Sequence, residues 1–202
     1  MEKNRNAGFT LVELLVAMLM SLIIIGGVGQ FMVAASNNYQ AVDRQTNLQM
    51  EAQSVINSIS DMVLESNNVA LLKKDSQQYF VIYYNKKRNV VWLDEKEHKL
   101  YLFACENNAE CNDVVFNGNH SKKMLFAEGV YSMGFFDASP GKSSSNKLGK
   151  KGLTLTTSQR RPLVRIEMEL CSKITAQSKN EKGFTYTVSD TVAPRNEIVP
   201  IS

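Results

Sequence analysis

The chain has 202 residues, of which 44% are hydrophobic and 21% are charged, and its formal net charge at pH 7 is +3. A charge of this size does not by itself indicate a nucleic-acid-binding protein. The sequence contains no glycine-rich phosphate loop and no nucleophile motif, so we predict neither an enzyme nor a bound cofactor.

A long apolar segment dominates the beginning of the chain. Across residues 9–35 the only ionisable side chain is Glu13, and the segment exceeds the ~20 residues that span a bilayer core as a helix. Lys3 and Arg5 precede it, and no basic residue follows it before Arg44. This asymmetry predicts a cytoplasmic N-terminus, with the rest of the chain outside the cytoplasm.

Two ordinary interpretations of this segment leave something unexplained. The small residues at 33–35 and the basic start would suit a cleaved signal peptide, but the apolar core of such a peptide normally has only ~7–15 residues. A plain single-pass anchor accounts for length and orientation. It does not account for Glu13, because a carboxylate within the hydrocarbon region costs on the order of 2.5–3.5 kcal/mol and usually marks a functional pairing.

The residues Gly8, Phe9 and Glu13, placed between a short basic leader and an apolar helix, resemble the class III signal of type IV pilins and pseudopilins. The resemblance covers residues 1 to about 36. It implies that a prepilin peptidase removes the leader, residues 1–8, by cutting between Gly8 and Phe9 and then methylates the new amine of Phe9. It also implies a role for Glu13 in filament assembly.

The role of Glu13 also has a physical rationale. Cleavage after Gly8 creates a positive amine on Phe9 at the head of an apolar helix, four residues before a glutamate. When such helices pack side by side, the amine of one subunit can pair with the glutamate of its neighbour. Since a buried charge is far more costly unpaired than paired, we expect this pair to set the axial register of an incoming subunit.

An amphipathic pattern continues the helix beyond the apolar segment. Apolar residues recur there at spacings of three and four: Leu48, Ala52, Val55, Ile59 and Met62, with Val42, Ile56 and Val63 widening the stripe. We predict one helix from about 9 to about 64, with residues 9–36 in the membrane or filament core and residues 37–66 docked on a globular head. The glycines between positions 26 and 29 would permit either a bend or close helix packing.

The remaining residues, 67–202, are predicted to form a β-rich head. Segments rich in β-branched and aromatic residues lie at 79–84, 89–94, 99–105, 130–137, 163–170 and 184–190. An α+β, pilin-like fold is therefore expected, with a long N-terminal helix packed on an antiparallel β-sheet. The last strands, with Pro162, Arg195 and Asn196, resemble those of the J-type minor pseudopilins of type II secretion and the W-type minor pilins of type IV pili.

A basic insert at 138–161 interrupts the predicted strands. It contains no acidic residue and six basic ones: Lys142, Lys147, Lys150, Lys151, Arg160 and Arg161. Gly, Ser and Asn dominate its first half, which favours a solvated, mobile loop. A DNA-binding patch is the alternative, because clustered positive charges attract phosphates, although the insert lacks interleaved aromatic residues on which bases could stack.

The chain has three cysteines and two histidines. Cys105 and Cys111 bracket a polar loop short enough for a disulfide in an oxidising compartment, and three free thiols are the alternative. We expect Cys171 to be a small buried apolar residue. His98 and His120 lie in polar stretches typical of solvated histidines, and no Cys/His spacing fits a closed zinc site, so no metal is predicted.

The resemblance implies a minor pilin or pseudopilin that initiates, primes or tips a type IV pilus or a type II secretion-like filament. Its partners would be other pilins, through the N-terminal helix, the prepilin peptidase, the inner-membrane assembly platform and membrane lipid. The alternative is a membrane-anchored extracytoplasmic binding module, with DNA as a partner in competence. Cleavage after Gly8 separates the two, because an ordinary anchor keeps its leader.

Overall fold

The computed structural model describes residues 10–74, 77–84, 87–106, 110, 123–140, 147–149, 162–171, 185–196 and 198. These residues form one α-helix and eight β-strands in the order α1 (Leu11–Leu64), β1 (Asn68–Lys74), β2 (Gln77–Tyr84), β3 (Lys87–Asp94), β4 (Lys99–Cys105), β5 (Met124–Glu128), β6 (Val130–Asp137), β7 (Val164–Cys171) and β8 (Thr185–Val192). The predicted α+β, pilin-like fold class is confirmed. The chain divides into two compact units, 1–44 and 45–202, and the second contains the head.

The part of α1 that belongs to the head is amphipathic, as the spacing of its apolar residues predicts. Its buried residues are Leu48, Ala52, Val55, Ile56, Ile59, Ser60 and Val63. Met62 is partly buried and packs on the same core. Val42 was wrongly included in the stripe: it is 60% exposed, because the buried face of the helix begins only at Leu48.

The strands form two antiparallel sheets rather than the single sheet expected. One sheet has the order β1-β2-β3-β4-β5 and the other β6-β7-β8. The chain leaves the first sheet and enters the second at Gly129, whose φ of 74° lies in the left-handed region that glycine adopts without steric cost. Gly129 alone separates β5, which ends at Glu128, from β6, which begins at Val130.

Two strands, β1 and β5, were not predicted from the sequence. Their sequences, NVALLKK and MLFAE, are rich in Ala, Leu, Lys, Met and Glu, which are better helix formers than strand formers. β1 pairs with β2 along its whole length, and β5 pairs with β4. Tertiary pairing has therefore overridden weak local preference in both strands.

The main core lies between α1 and the two sheets. The rings of Phe80 in β2 and Phe135 in β6 stack with their centroids 3.6 Å apart, which joins the two sheets at the centre of the core. A second apolar cluster, containing Tyr79, Trp92 and Phe103, occupies the opposite face of the five-stranded sheet. Because both faces of this sheet are buried, its central strands are almost continuously apolar in sequence.

Part of the basic insert is anchored, which contradicts the prediction of a solvated, mobile loop at that point. Leu148 is only 3% exposed and belongs to the main core. Its backbone N–H donates to the carbonyl of Phe135 at 2.9 Å, and the N–H of Leu71 donates to the carbonyl of Gly149 at 3.2 Å. Residues 147–149 therefore bond to β6 and β1, each an edge strand of its sheet; we call them the seam segment.

The end of α1 is closed by a segment that lies far away in sequence. The backbone N–H of Arg195 donates to the carbonyl of Leu64 at 2.8 Å, and the side-chain amide of Asn196 donates to the carbonyl of Glu65. A helix leaves its last carbonyls without partners of its own. The Arg-Asn pair that marks the family resemblance thus satisfies two carbonyls at the end of α1.

The cysteines and histidines fit their predictions only in part. Cys105 is buried at the end of β4, while Cys171, which was expected to be buried, is partly exposed at the end of β7. His98 was expected to be solvated. Instead, its ring stacks on Tyr131 with the centroids 4.0 Å apart, and it closes the β3–β4 turn with a positive φ. Cys111 and His120 lie outside the described residues, so the Cys105–Cys111 bridge stays a prediction.

Candidate assembly site

The candidate site begins at the first turn of α1, where Thr10 and Glu13 are linked. The backbone N–H of Glu13 donates to the Thr10 hydroxyl oxygen at 3.3 Å and to the Thr10 carbonyl oxygen at 3.1 Å. Thr10 is thus the N-cap, and Glu13 is the third residue of the helix. A threonine and a glutamate at this spacing form the pattern of a capping box, which satisfies N–H groups that a helix start leaves without partners.

Sequence reasoning singled out Glu13 but missed Thr10. The signal was present in the Thr-x-x-Glu spacing immediately before an apolar run. The cap fixes where α1 begins, and it places the Glu13 carboxylate at the N-terminal end of the helix, where the helix dipole favours a negative charge. Glu13 is exposed in the structure, so its carboxylate is accessible to a group from outside the chain.

The helix that follows Glu13 has an apolar surface on all sides. From Leu11 to Val33, the large apolar side chains are between 48% and 78% exposed. A helix that is apolar all around is stable only in lipid or among other apolar helices. By length and composition, α1 could cross a membrane.

Two other polar side chains in this apolar surface, Ser21 and Gln30, are uncharged and have different surroundings from Glu13. The Ser21 hydroxyl donates to the carbonyl of Ala17 at 2.8 Å, so it is satisfied within the helix. Gln30 lines a shallow groove together with Gly26 and Gly29, and an added Cβ at either glycine would meet no atom within 4 Å. Small residues in such a groove let a second helix approach closely.

Several predicted site residues cannot be placed. Gly8 and Phe9 lie outside the described residues, as do five members of the basic cluster: Lys142, Lys150, Lys151, Arg160 and Arg161. Lys147 is exposed at one end of the seam segment and bridges to Phe136 of β6. DNA contact by the insert therefore stays a prediction. Within the described part of the chain, no three His, Cys, Asp or Glu side chains lie close enough to hold a metal ion.

A match to a known protein family covers the same N-terminal segment as the candidate site. Residues 3–29 match the family described as the prokaryotic N-terminal methylation motif, a range that includes Gly8, Phe9 and Glu13. No curated protein and no solved structure matches the chain, so the J-type or W-type assignment stays a prediction. The motif points to a structural subunit rather than an enzyme and, with the apolar helix, to membrane anchoring. The chain carries the N-terminal signal of type IV pilin-like precursors.

Proposed function

We propose that the protein is a minor pilin or pseudopilin, a structural subunit of a type IV pilus or type II secretion-like filament. The single observation that carries the proposal is the methylation motif over residues 3–29. The motif is followed directly by a capped helix whose first turn presents Glu13 and whose next turns expose apolar side chains. A plain membrane anchor needs the apolar surface but has no use for the carboxylate.

Processing is the first step of the proposed function. A prepilin peptidase cuts between Gly8 and Phe9 and methylates the new amine, leaving Phe9 next to the Thr10 cap. Gly8 suits the cut, because a residue without a side chain lets the enzyme approach the backbone closely. The mature chain then begins at the start of α1, with one positive charge a single turn before Glu13.

Assembly is the second step. In the membrane, the Glu13 carboxylate lies among apolar side chains and is costly to keep charged. When the subunit enters a filament, the Phe9 amine of a neighbouring subunit pairs with that carboxylate. The pair removes the cost of two unpaired charges and fixes how far the incoming helix moves along its neighbour. The head remains outside the cytoplasm, and the partners are other pilins, the peptidase and the assembly platform.

N-terminal analysis tests the processing step. Protein purified from cells that contain a prepilin peptidase should begin at N-methylated Phe9, as determined by mass spectrometry of the N-terminal peptide. Protein from a strain without the peptidase should keep residues 1–8. A mature N-terminus at Ser36 would establish an ordinary signal peptide and overturn the proposal.

Substitution of Glu13 tests the assembly step. Glu13→Ala should leave membrane insertion intact and lower recovery of the subunit in sheared or membrane-extracted filaments about a hundredfold or more, since breaking a buried charge pair typically costs about 3–5 kcal/mol. Glu13→Gln, which keeps shape and hydrogen bonding, should give an intermediate result. Glu51→Ala is the matched control, because it removes an exposed carboxylate elsewhere on α1. Normal recovery of Glu13→Ala would refute the pairing for this subunit.

A further inference from the structure

A groove lies in the head between the last turns of α1 and the end of β8. Its volume is about 560 Å³, which is in the range of pockets that bind small ligands or side chains. Asn57, Asp61 and Leu64 line it from α1, and Asp190 and Arg195 line it from β8 and the segment that follows. The helix side and the strand side thus each contribute a carboxylate, and Arg195 adds a guanidinium.

The carboxylate of Asp190 is held in a fixed orientation. The Ser60 hydroxyl donates to its Oδ2 at 2.6 Å, and the backbone N–H of Thr191 donates to its Oδ1 at 2.8 Å. Ser60 is itself only 5% exposed. A carboxylate oriented by a buried hydroxyl and by its own strand is preorganised to receive a further donor, because an ionised carboxylate has about four acceptor positions.

The other two charges of the groove are available to a ligand. Asp61 follows Asn57 by four residues, which places the two side chains on one face of α1. Asp61 and Arg195 are both exposed, and among the described residues neither side chain has a hydrogen bond or an ion pair. Within the described part of the chain, the groove therefore presents a carboxylate and a guanidinium that have no hydrogen-bond or ion-pair partner.

The strand beside the groove lies at the edge of its sheet, as far as the structure describes that sheet. Among the described strands, β8 pairs only with β7, so it is an edge strand of the three-stranded sheet. Two other edge strands, β1 and β6, are bonded to the seam segment. An edge strand next to a groove can add an extended segment of another chain, with backbone hydrogen bonds supplying affinity and the groove supplying specificity.

We propose that this groove binds an extended segment of a neighbouring filament subunit, with a Lys or Arg side chain between Asp61 and Asp190. The aliphatic stem of such a side chain can pack on Leu64 while its charged end meets both carboxylates. Arg195 then faces a carbonyl or carboxylate oxygen of the same segment. An inorganic cation would leave the guanidinium of Arg195 unpaired beside it. This inference rests on the proposed function and identifies a contact through which the head engages its partner.

Site-specific photocrosslinking tests the inference in the full-length chain. A photoreactive amino acid is placed at Asn57 in cells that assemble the filament, and the crosslinked peptide is identified by mass spectrometry. The expected product joins Asn57 to a segment of another subunit that contains Lys or Arg. The control position is Gln77, which is exposed on the other sheet and should not give this product.

Charge-reversing substitutions on both sides of the contact test whether Asp61 pairs with the crosslinked residue. Asp61→Lys should lower the crosslink yield about tenfold, since like charges oppose each other across an interface, and a Lys→Glu or Arg→Glu change at the identified partner residue should restore it. Asp61 is exposed, and among the described residues its side chain makes no hydrogen bond or ion pair, so the head should remain folded. Fluorescence of the single tryptophan, Trp92, can verify this.

The remaining outcomes overturn the inference. A subunit that enters filaments but gives no crosslink from Asn57, or one whose crosslink is unchanged by Asp61→Lys, excludes the groove as the contact and leaves the proposed function standing. A crosslink only to an acidic or wholly apolar segment also excludes it. A correctly processed chain that never enters filaments overturns both the inference and the proposed function.

Discussion

Gly129 and Cys171 approach each other so closely that no side chain fits between them. The N–H of Cys171 donates to the carbonyl of Gly129 at 2.9 Å, and a Cβ built on Gly129 would lie 2.7 Å from the carbonyl oxygen of Cys171. The contact lies where the chain passes from β5 into β6. The connection between the two sheets thus depends on glycine for both its positive φ and its closeness to β7.

Gly129→Ala should therefore lower the free energy of unfolding of the head by about 1–3 kcal/mol, the range for backbone strain at such positions. Gly149→Ala is the control, because its added Cβ would meet no atom within 4 Å, and it should change stability by no more than about 0.5 kcal/mol. Urea unfolding followed by Trp92 fluorescence measures both. Equal stability of the two variants would contradict the role of the Gly129–Cys171 contact.

Leu148→Ala tests whether the seam segment is anchored. Truncation of a buried leucine costs about 2–5 kcal/mol, and Leu148 is 3% exposed in the main core. Lys147→Ala, at the exposed neighbouring position, should have almost no effect on stability. The same urea measurement applies, and an unchanged unfolding midpoint for Leu148→Ala would show that the insert is a solvated loop throughout.

Thr10→Val tests the helix cap. Loss of an N-cap hydroxyl costs about 0.5–2 kcal/mol, so amide hydrogen exchange in the first turn of α1, measured in detergent micelles, should become roughly three- to thirtyfold faster. Thr10→Ser keeps the hydroxyl and should retain most of the protection. If Thr10→Val exchanges at the rate of the unaltered chain, the hydroxyl does not cap the helix.

A soluble head should be obtainable without the apolar half of the helix. A fragment that begins at Asn37 keeps every buried residue of α1, since the first of them is Leu48, and it should be monomeric and unfold cooperatively. A fragment that begins at Gln53 lacks Leu48 and Ala52. It should be less stable by about 2–5 kcal/mol, as for loss of a buried leucine. Aggregation of the longer fragment would show that the division of the helix is misplaced.

The sequence predicts α1 well because its signal is local and repeated. Apolar residues at spacings of three and four continue for many turns, and the predicted range of about 9–64 agrees with the observed Leu11–Leu64. Six strands were also predicted within a few residues, since each is rich in β-branched and aromatic side chains. β1 and β5 escaped prediction because their local composition favours helix and only their pairing with β2 and β4 makes them strands.

The residues of the candidate assembly site, Gly8, Phe9 and Glu13, were singled out by their spacing within six consecutive residues, and the methylation motif over residues 3–29 includes them. The groove in the head was not predicted from the sequence. It depends on Asp61 and Asp190, which lie far apart in the chain and meet only through the contact between α1 and β8. Nothing in the composition around either residue marks it as part of a site.

The bonds that close the end of α1 also set the order in which the protein can be made. Asn196 lies 131 positions after Glu65, so α1 cannot receive its final partners until nearly the whole head has been synthesised. Under the proposed function, in which the head lies outside the cytoplasm, completion of the fold is thereby coupled to completion of export. A subunit whose export stalls would then lack a finished head.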